Sequence, residues 1–124
     1  MSQAFSGVRI VDFTQVLAGP FATQQLALLG AEVIKIEQPG HGDQTRGLMN
    51  AAENAEESMS PAFMTCNLGK RSITLDLKTG QAKEIVFRLV AQADVVVENF
   101  RAGVMQRLGF GDDVLRQIKP DLIY

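Results

Sequence analysis

The punctuation of the first 37 residues constrains this chain more than any other feature. Val8 to Phe13 is a short β-branched run, a loop ending in Ala18-Gly19-Pro20 follows, and Phe21 to Leu29 is rich in Ala, Gln and Leu. That succession reads as strand, loop and helix. Pro20 suits the first helical position, where the N–H it lacks would have no intrahelical acceptor. Gly30 suits the position just past the helix end, which favours positive φ. Ala31 to Glu37 reads as a second strand. Two strands joined through a helix by short connections run parallel, so the expected fold class is α/β, an open, mostly parallel sheet with helices on its faces.

From Gln38 to Arg71 the periodicity fades, although Ser60 before Pro61 marks a cap for one short helix running toward Cys66. A loop of that length is expected to be functional or partly mobile, and Glu53, Glu56 and Glu57 suggest a solvated rim. Ser72 to Leu77 alternates as a strand does, and from Thr79 onward Ala82, Ile85, Val86, Leu89 and Val90 recur at helical spacing, a stripe that should face the sheet. Asp94 to Glu98 encloses three valines, the mark of a buried strand. Gly103 to Leu108 and Asp112 to Ile118 then read as two short helices, with Asp112 as a cap. Asp121 to Tyr124, after Pro120, opens a further strand. The expectation is one Rossmann-like domain over residues 1–124, incomplete at its C-terminal end, as in a fragment of a larger fold.

An apolar share of 46% with 21% charged residues is that of a folding globular chain. A formal net charge of -2 supplies no basic field for nucleic acid, and no run approaches the roughly 18 uncharged apolar residues of a membrane span. Neither nucleic acid nor membrane is expected as a partner. Met1 to Ser6 lacks a secretory pattern, which implies a cytoplasmic protein. Cys66 is the only cysteine and reads as a small buried hydrophobe.

Ligands of open α/β sheets bind beyond the carboxyl ends of strands, which singles out Thr14 to Pro20, Gln38 to Arg46 and Asn99 to Arg107. Glu37 could imitate the ribose-binding acid of a dinucleotide fold, but the first turn lacks the glycine fingerprint. A non-enzymatic nucleotide-binding module therefore stands as a weaker alternative. Gly69-Lys70-Arg71-Ser72 lacks the first glycine and the hydroxyl of a phosphate loop. Lys70, Arg71, Lys78, Arg101 and Arg107 fall near element ends, which would suit a polyphosphate, though each taken singly reads as a solvated surface charge. His41, between two glycines, reads as a surface residue, and no metal-ligand spacing is present.

Taken together, Gly7-Val8-Arg9-Ile10-Val11-Asp12-Phe13, Leu17-Ala18-Gly19-Pro20, Leu29 to Glu37, Gly42-Asp43 with Arg46, Lys70-Arg71-Ser72, Asp94 to Phe100 and Leu108-Gly109 resemble the class III CoA-transferase family. The resemblance spans nearly the whole chain. It implies an amino-terminal domain that binds coenzyme A as acyl carrier, from a protein that passes CoA to a carboxylic acid acceptor and forms an interlaced homodimer when full length. By the same resemblance the coenzyme site draws on Val16, Leu17, Ala18, Gln38, Leu75, Lys78, Asn99, Phe100, Val104 and Arg107. Arg107 would donate to the coenzyme's phosphates and Phe100 would pack on the nucleotide. Leu17 and Gln38 stand where formyl-CoA transferases carry glutamine and arginine, which weakens a formate or oxalate assignment. The family's nucleophilic aspartate would lie beyond Tyr124, leaving this chain inactive alone, and so would the His and Asp pair of the alternative, an α-methylacyl-CoA racemase-type enzyme.

Overall fold

The computed structural model describes residues 2–48 and 59–124. The acidic positions Glu53, Glu56 and Glu57 lie outside the described residues. Four parallel strands, β1 (Arg9–Asp12), β2 (Glu32–Glu37), β3 (Arg71–Thr74) and β4 (Val95–Val97), form one sheet in the order β3-β2-β1-β4. Helix α1 (Ala18–Leu28) joins β1 to β2. A single 3-10 turn (Gln44–Gly47) and α2 (Pro61–Asn67) lie between β2 and β3, and α3 (Gly80–Ala91) joins β3 to β4. Two short helices, α4 (Val104–Leu108) and α5 (Asp112–Ile118), follow β4. The expected α/β class and parallel sheet are what the chain adopts. Beyond β4, Ile123 pairs in parallel with Val95, so the segment after Pro120 does enter a further strand position.

The register places Ile10 beside Val33 and Val95, and Val11 beside Ile34 and Val96. Because successive side chains of a strand point to opposite faces, these rows define two layers. On one side Val11, Phe13, Ile36 and Val96 pack with Ala82, Val86 and Val90 of α3, Met105 of α4 and Leu115 of α5. The stripe expected on α3 therefore does face the sheet. Phe110, fully buried, joins this layer through ring contacts with Phe13 at 5.9 Å and Phe87 at 6.1 Å. On the other side Ile10, Ala31 and Val33 form a smaller cluster beneath Leu26 and Ala27 of α1.

Local chemistry explains most boundaries. Ser60 accepts from Phe63 N–H with Pro61 in the first turn, and Thr79 accepts from Ala82 N–H, so both helices carry side-chain N-caps. Gly30 closes α1 at φ +105° and donates to Ala27 O at 3.0 Å. Three boundaries differ from expectation, the first being β3, which ends at Thr74 rather than Leu77 because Asp76 accepts from Lys78 N–H and Thr79 Oγ1 in a turn leading into α3. Helix α1 starts at Ala18, so Pro20 occupies its third position, still among the first amides that lack an intrahelical acceptor. Asp112 does not cap α5: Gly111 holds the cap position, and the Asp112 carboxylate instead takes Arg116 one turn on, at 2.6 Å.

A Cβ at Gly30 would lie 2.6 Å from Cβ of Gln3 and would sit on a left-handed backbone. Gly30→Ala is expected to lower unfolding stability by roughly 1–3 kcal/mol, read as a lower urea midpoint at unchanged slope. An unchanged midpoint would show that the amino-terminal segment yields freely.

Candidate functional site

The sheet face beneath α1 and α2 changes character along the strands. Ile10 and Val33 are apolar, but the next residues pointing the same way, Asp12, Lys35 and Glu37, are charged and each at most 3% exposed. Each is paired by a connecting segment: Lys35 and Glu37 from the segment after β2, and Asp12 by Lys70, just before β3. Asp12 Oδ2 takes Lys70 Nζ at 3.0 Å and Thr23 Oγ1 at 2.6 Å, while Oδ1 takes the amide and hydroxyl of Thr14. Lys35 Nζ donates to Thr14 O at 2.6 Å and lies 2.9 Å from Asp43 Oδ2. Glu37 is held by both forks of Arg46, each at 2.6 Å, by Ser72 Oγ at 2.6 Å and by the Asp43 amide at 2.8 Å. The Arg46 guanidinium also stacks 3.8 Å above the Phe63 ring.

This geometry sets the protonation states. Burial would raise the Glu37 carboxyl, but the bonds from Arg46, Ser72 and the Asp43 amide outweigh it and hold its pKa down at about 2. Asp43 is likewise lowered: burial opposes ionisation, and Lys35 and Thr45 overcome it. Burial pushes Lys70 below its ordinary value against the opposing charge of Asp12. Sequence reasoning placed Lys70 among solvated cations. With its side chain 2% exposed, it is an internal cross-link from the end of α2 to β1 and α1, donating also to Asn67 Oδ1 and Pro20 O at 2.8 Å.

The loop after β1 rests on this layer. Gln15 is bonded through both its amide and carbonyl to the side-chain amide of Asn99, each at 2.8 Å, and Val16 N–H donates to Asp43 Oδ1 at 3.2 Å. Val16 has φ +71°, the one non-glycine residue in the left-handed region among those described. Gly19 lets the first turn of α1 close on this loop, since a Cβ there would lie 2.5 Å from the Thr14 side chain. Leu17 at the helix cap offers no acceptor, so the N-terminus of α1 has no side-chain cap.

Beside the loop lies an open cleft of about 430 Å3 at the carboxyl edge, between the segments after β1, β2 and β3 and the one after β4. Of the residues that the family resemblance assigns to coenzyme binding, Gln38, Leu75, Lys78 and Phe100 line this cleft together. Asn99 is tied to Gln15, itself a lining residue. Val16, Leu17 and Ala18 are exposed on the neighbouring loop, while Val104 and Arg107 stand on α4 outside the lining, Arg107 exposed. Leu108 and Gln44 also line the cleft and were not anticipated as contacts. Glu37 borders it too, but both its carboxylate oxygens are engaged, which leaves none free for a ribose.

Comparison with known proteins agrees with this architecture. A profile of CoA-transferase family III matches residues 5–124. The chain belongs to CoA-transferase family III. It is 49% identical to a formyl-CoA:oxalate CoA-transferase of Afipia carboxidovorans over 123 residues, 99% of this chain and 28% of that protein. It is 48% identical to an acyl-CoA transferase of Fusarium pseudograminearum over 126 residues, 98% of this chain and 28% of that protein. The chain thus spans about 28% of the length of these curated relatives. Among solved structures, a CAIB/BAIF family protein from Brucella suis superposes with TM-score 0.89 at 41% identity, covering all of this chain and 33% of that one. A hypothetical protein from Mycobacterium tuberculosis gives TM-score 0.86 at 48% identity, covering 98% and 32%. Among the described residues of this family III chain, no helix is long and apolar enough to cross a membrane.

The ionic layer predicts an acid limb in stability. A carboxyl whose pKa falls from 4.5 unfolded to about 2 folded adds stability that is complete above about pH 4.5 and is lost as pH drops toward 2. For Glu37 this is on the order of 3 kcal/mol, and Asp43 acts in the same sense. Urea midpoints should therefore fall steeply between those pH values, and Glu37→Gln should flatten that limb while lowering stability at neutral pH. An unaltered slope in the variant would mean that Glu37 is not the group titrating.

Proposed function

We propose that this chain forms the coenzyme A-binding part of an acyl-CoA:carboxylate CoA-transferase. The observation that carries the reading is the cleft that gathers Gln38, Leu75, Lys78 and Phe100 beside the exposed Val16–Ala18 loop. Its chemistry matches the carrier. Leu75 and Phe100 offer apolar surface to a nucleobase, Lys78 a cation to phosphates, and the uncapped start of α1 directs backbone dipoles toward the same rim. Arg107, exposed one helix away, is a second charge-assisted donor within the same segment after β4.

Transfer in this family is nucleophilic catalysis by a carboxylate, which attacks the thioester carbonyl, expels the CoA thiolate and forms an anhydride that the thiolate then reopens. Such a nucleophile needs an unencumbered oxygen. Asp12 and Glu37 have both oxygens engaged by internal donors, and the family resemblance puts the nucleophile outside residues 1–124, so the proposed role of this chain is to hold the carrier, with no turnover by this chain alone. On the same reading the full-length protein is a cytoplasmic, interlaced homodimer.

Calorimetry on the intact parent protein tests the proposal. It should bind CoA, and Arg107→Ala should weaken binding by about one to two decades, the worth of a charge-assisted hydrogen bond at roughly 1.5–3 kcal/mol. No affinity for CoA or any acyl-CoA in the intact protein would overturn the reading. Normal affinity in the variant would remove Arg107 alone.

A further inference from the structure

Resting on the coenzyme-binding reading above, we propose that Asn99 is a positioning residue: its side chain clamps the loop after β1 and keeps Val16 left-handed, rather than contacting the ligand itself. Both polar atoms of that side chain are already engaged. Oδ1 accepts from Gln15 N–H and Nδ2 donates to Gln15 O, each at 2.8 Å, bridging residues 84 apart in sequence. Asp43 accepts from the adjoining group, Val16 N–H, and is itself fixed by Lys35 and Thr45. Three successive polar groups of the backbone are thus held by two side chains from different loops.

The clamp has a load to resist. A β-branched residue at φ +71° is disfavoured by roughly tenfold relative to its ordinary conformations. Burial does not offset this, because Val16 is 42% exposed and Leu17 after it 63%. Nothing in the core holds these residues, so the hydrogen bonds must. Their effect is to present Val16, Leu17 and Ala18 outward beside the cleft instead of folding them onto the sheet. Without Asn99 the loop would relax to negative φ and the rim would have to be rebuilt on each binding event, a population penalty on affinity.

Relieving the strain should therefore remove the need for the clamp, and a double-mutant cycle in the intact parent protein tests this. Asn99 is exposed, so Asn99→Ala leaves no buried group unpaired, unlike a change at Asp43, which would strand Lys35. Asn99→Ala should raise the Kd for CoA about tenfold. In a Val16→Gly background, where the left-handed conformation is freely adopted, the same change should raise it by less than about threefold. A tenfold loss in both backgrounds would mean that Asn99 touches the ligand directly and would overturn the proposal. Should the unsubstituted protein bind no CoA, the functional reading fails on its own. The clamp is then decided by urea unfolding of the same four proteins, where additive effects of the two substitutions sink it.

Discussion

Charge buried at the carboxyl edge of the sheet is the constraint on which the rest of this molecule depends. Asp12, Lys35 and Glu37 point into the layer beneath α1 and α2, and ionised groups there are tolerable only with close partners of opposite charge. Those partners are Lys70, Asp43 and Arg46, each carried by a connecting segment rather than by the sheet. The consequence is architectural. Apolar residues in these places would pack the layer at no loss of stability, but they would leave the connections free to wander. Ion pairs with fixed hydrogen-bond directions tie them down one by one. Removing a single member would strand its partner at a cost of about 3–5 kcal/mol.

The opposite face works by another means. Val11, Phe13, Ile36 and Val96 meet α3, α4 and α5 in a continuous apolar layer, with Phe110 closing it against Phe13 and Phe87. That layer makes the sheet a stiff platform, and the ionic layer then fixes the loops that rise from its carboxyl end. The strand order 3-2-1-4 reverses between β1 and β4, which opens a crevice where ligands of such sheets bind. Asn99 bridges that reversal by reaching from the β4 loop to Gln15 in the β1 loop.

Much of the fold could be seen in the residues because its signals are local. Gly30, Ser60-Pro61 and Thr79 mark helix ends through their own backbone and side-chain chemistry, and the stripe on α3 reports its buried face directly. The ionic layer was hidden for the converse reason. Alternation across Val33, Ile34, Lys35, Ile36 and Glu37 looks like a strand with one wet edge, and only partners brought in from Asp43, Arg46 and Ser72 make it dry. Lys70 misled in the same way: a cation at a loop end is solvated by default, and nothing within a few residues of it announces Asp12. The residues proposed for the site, such as Gln38, Leu75, Lys78 and Phe100, carry no pattern among themselves. They came to notice through family resemblance, and topology is what brings them to one cleft.

Stiffness of this kind has a chemical rationale on the proposed reading. A thioester carrier is long and flexible, so much of its binding energy is offset by the loss of its own rotational freedom. A site that also had to order its loops would bear that penalty twice. Engaging Asp12, Glu37 and Asp43 in cross-links would have a second effect on that reading, withdrawing these buried carboxylates as stray nucleophiles beside an activated acyl group. On that reading the charged residues of the inner layer serve to hold the loops, and the exposed Val16–Ala18 rim is the surface proposed to meet the ligand.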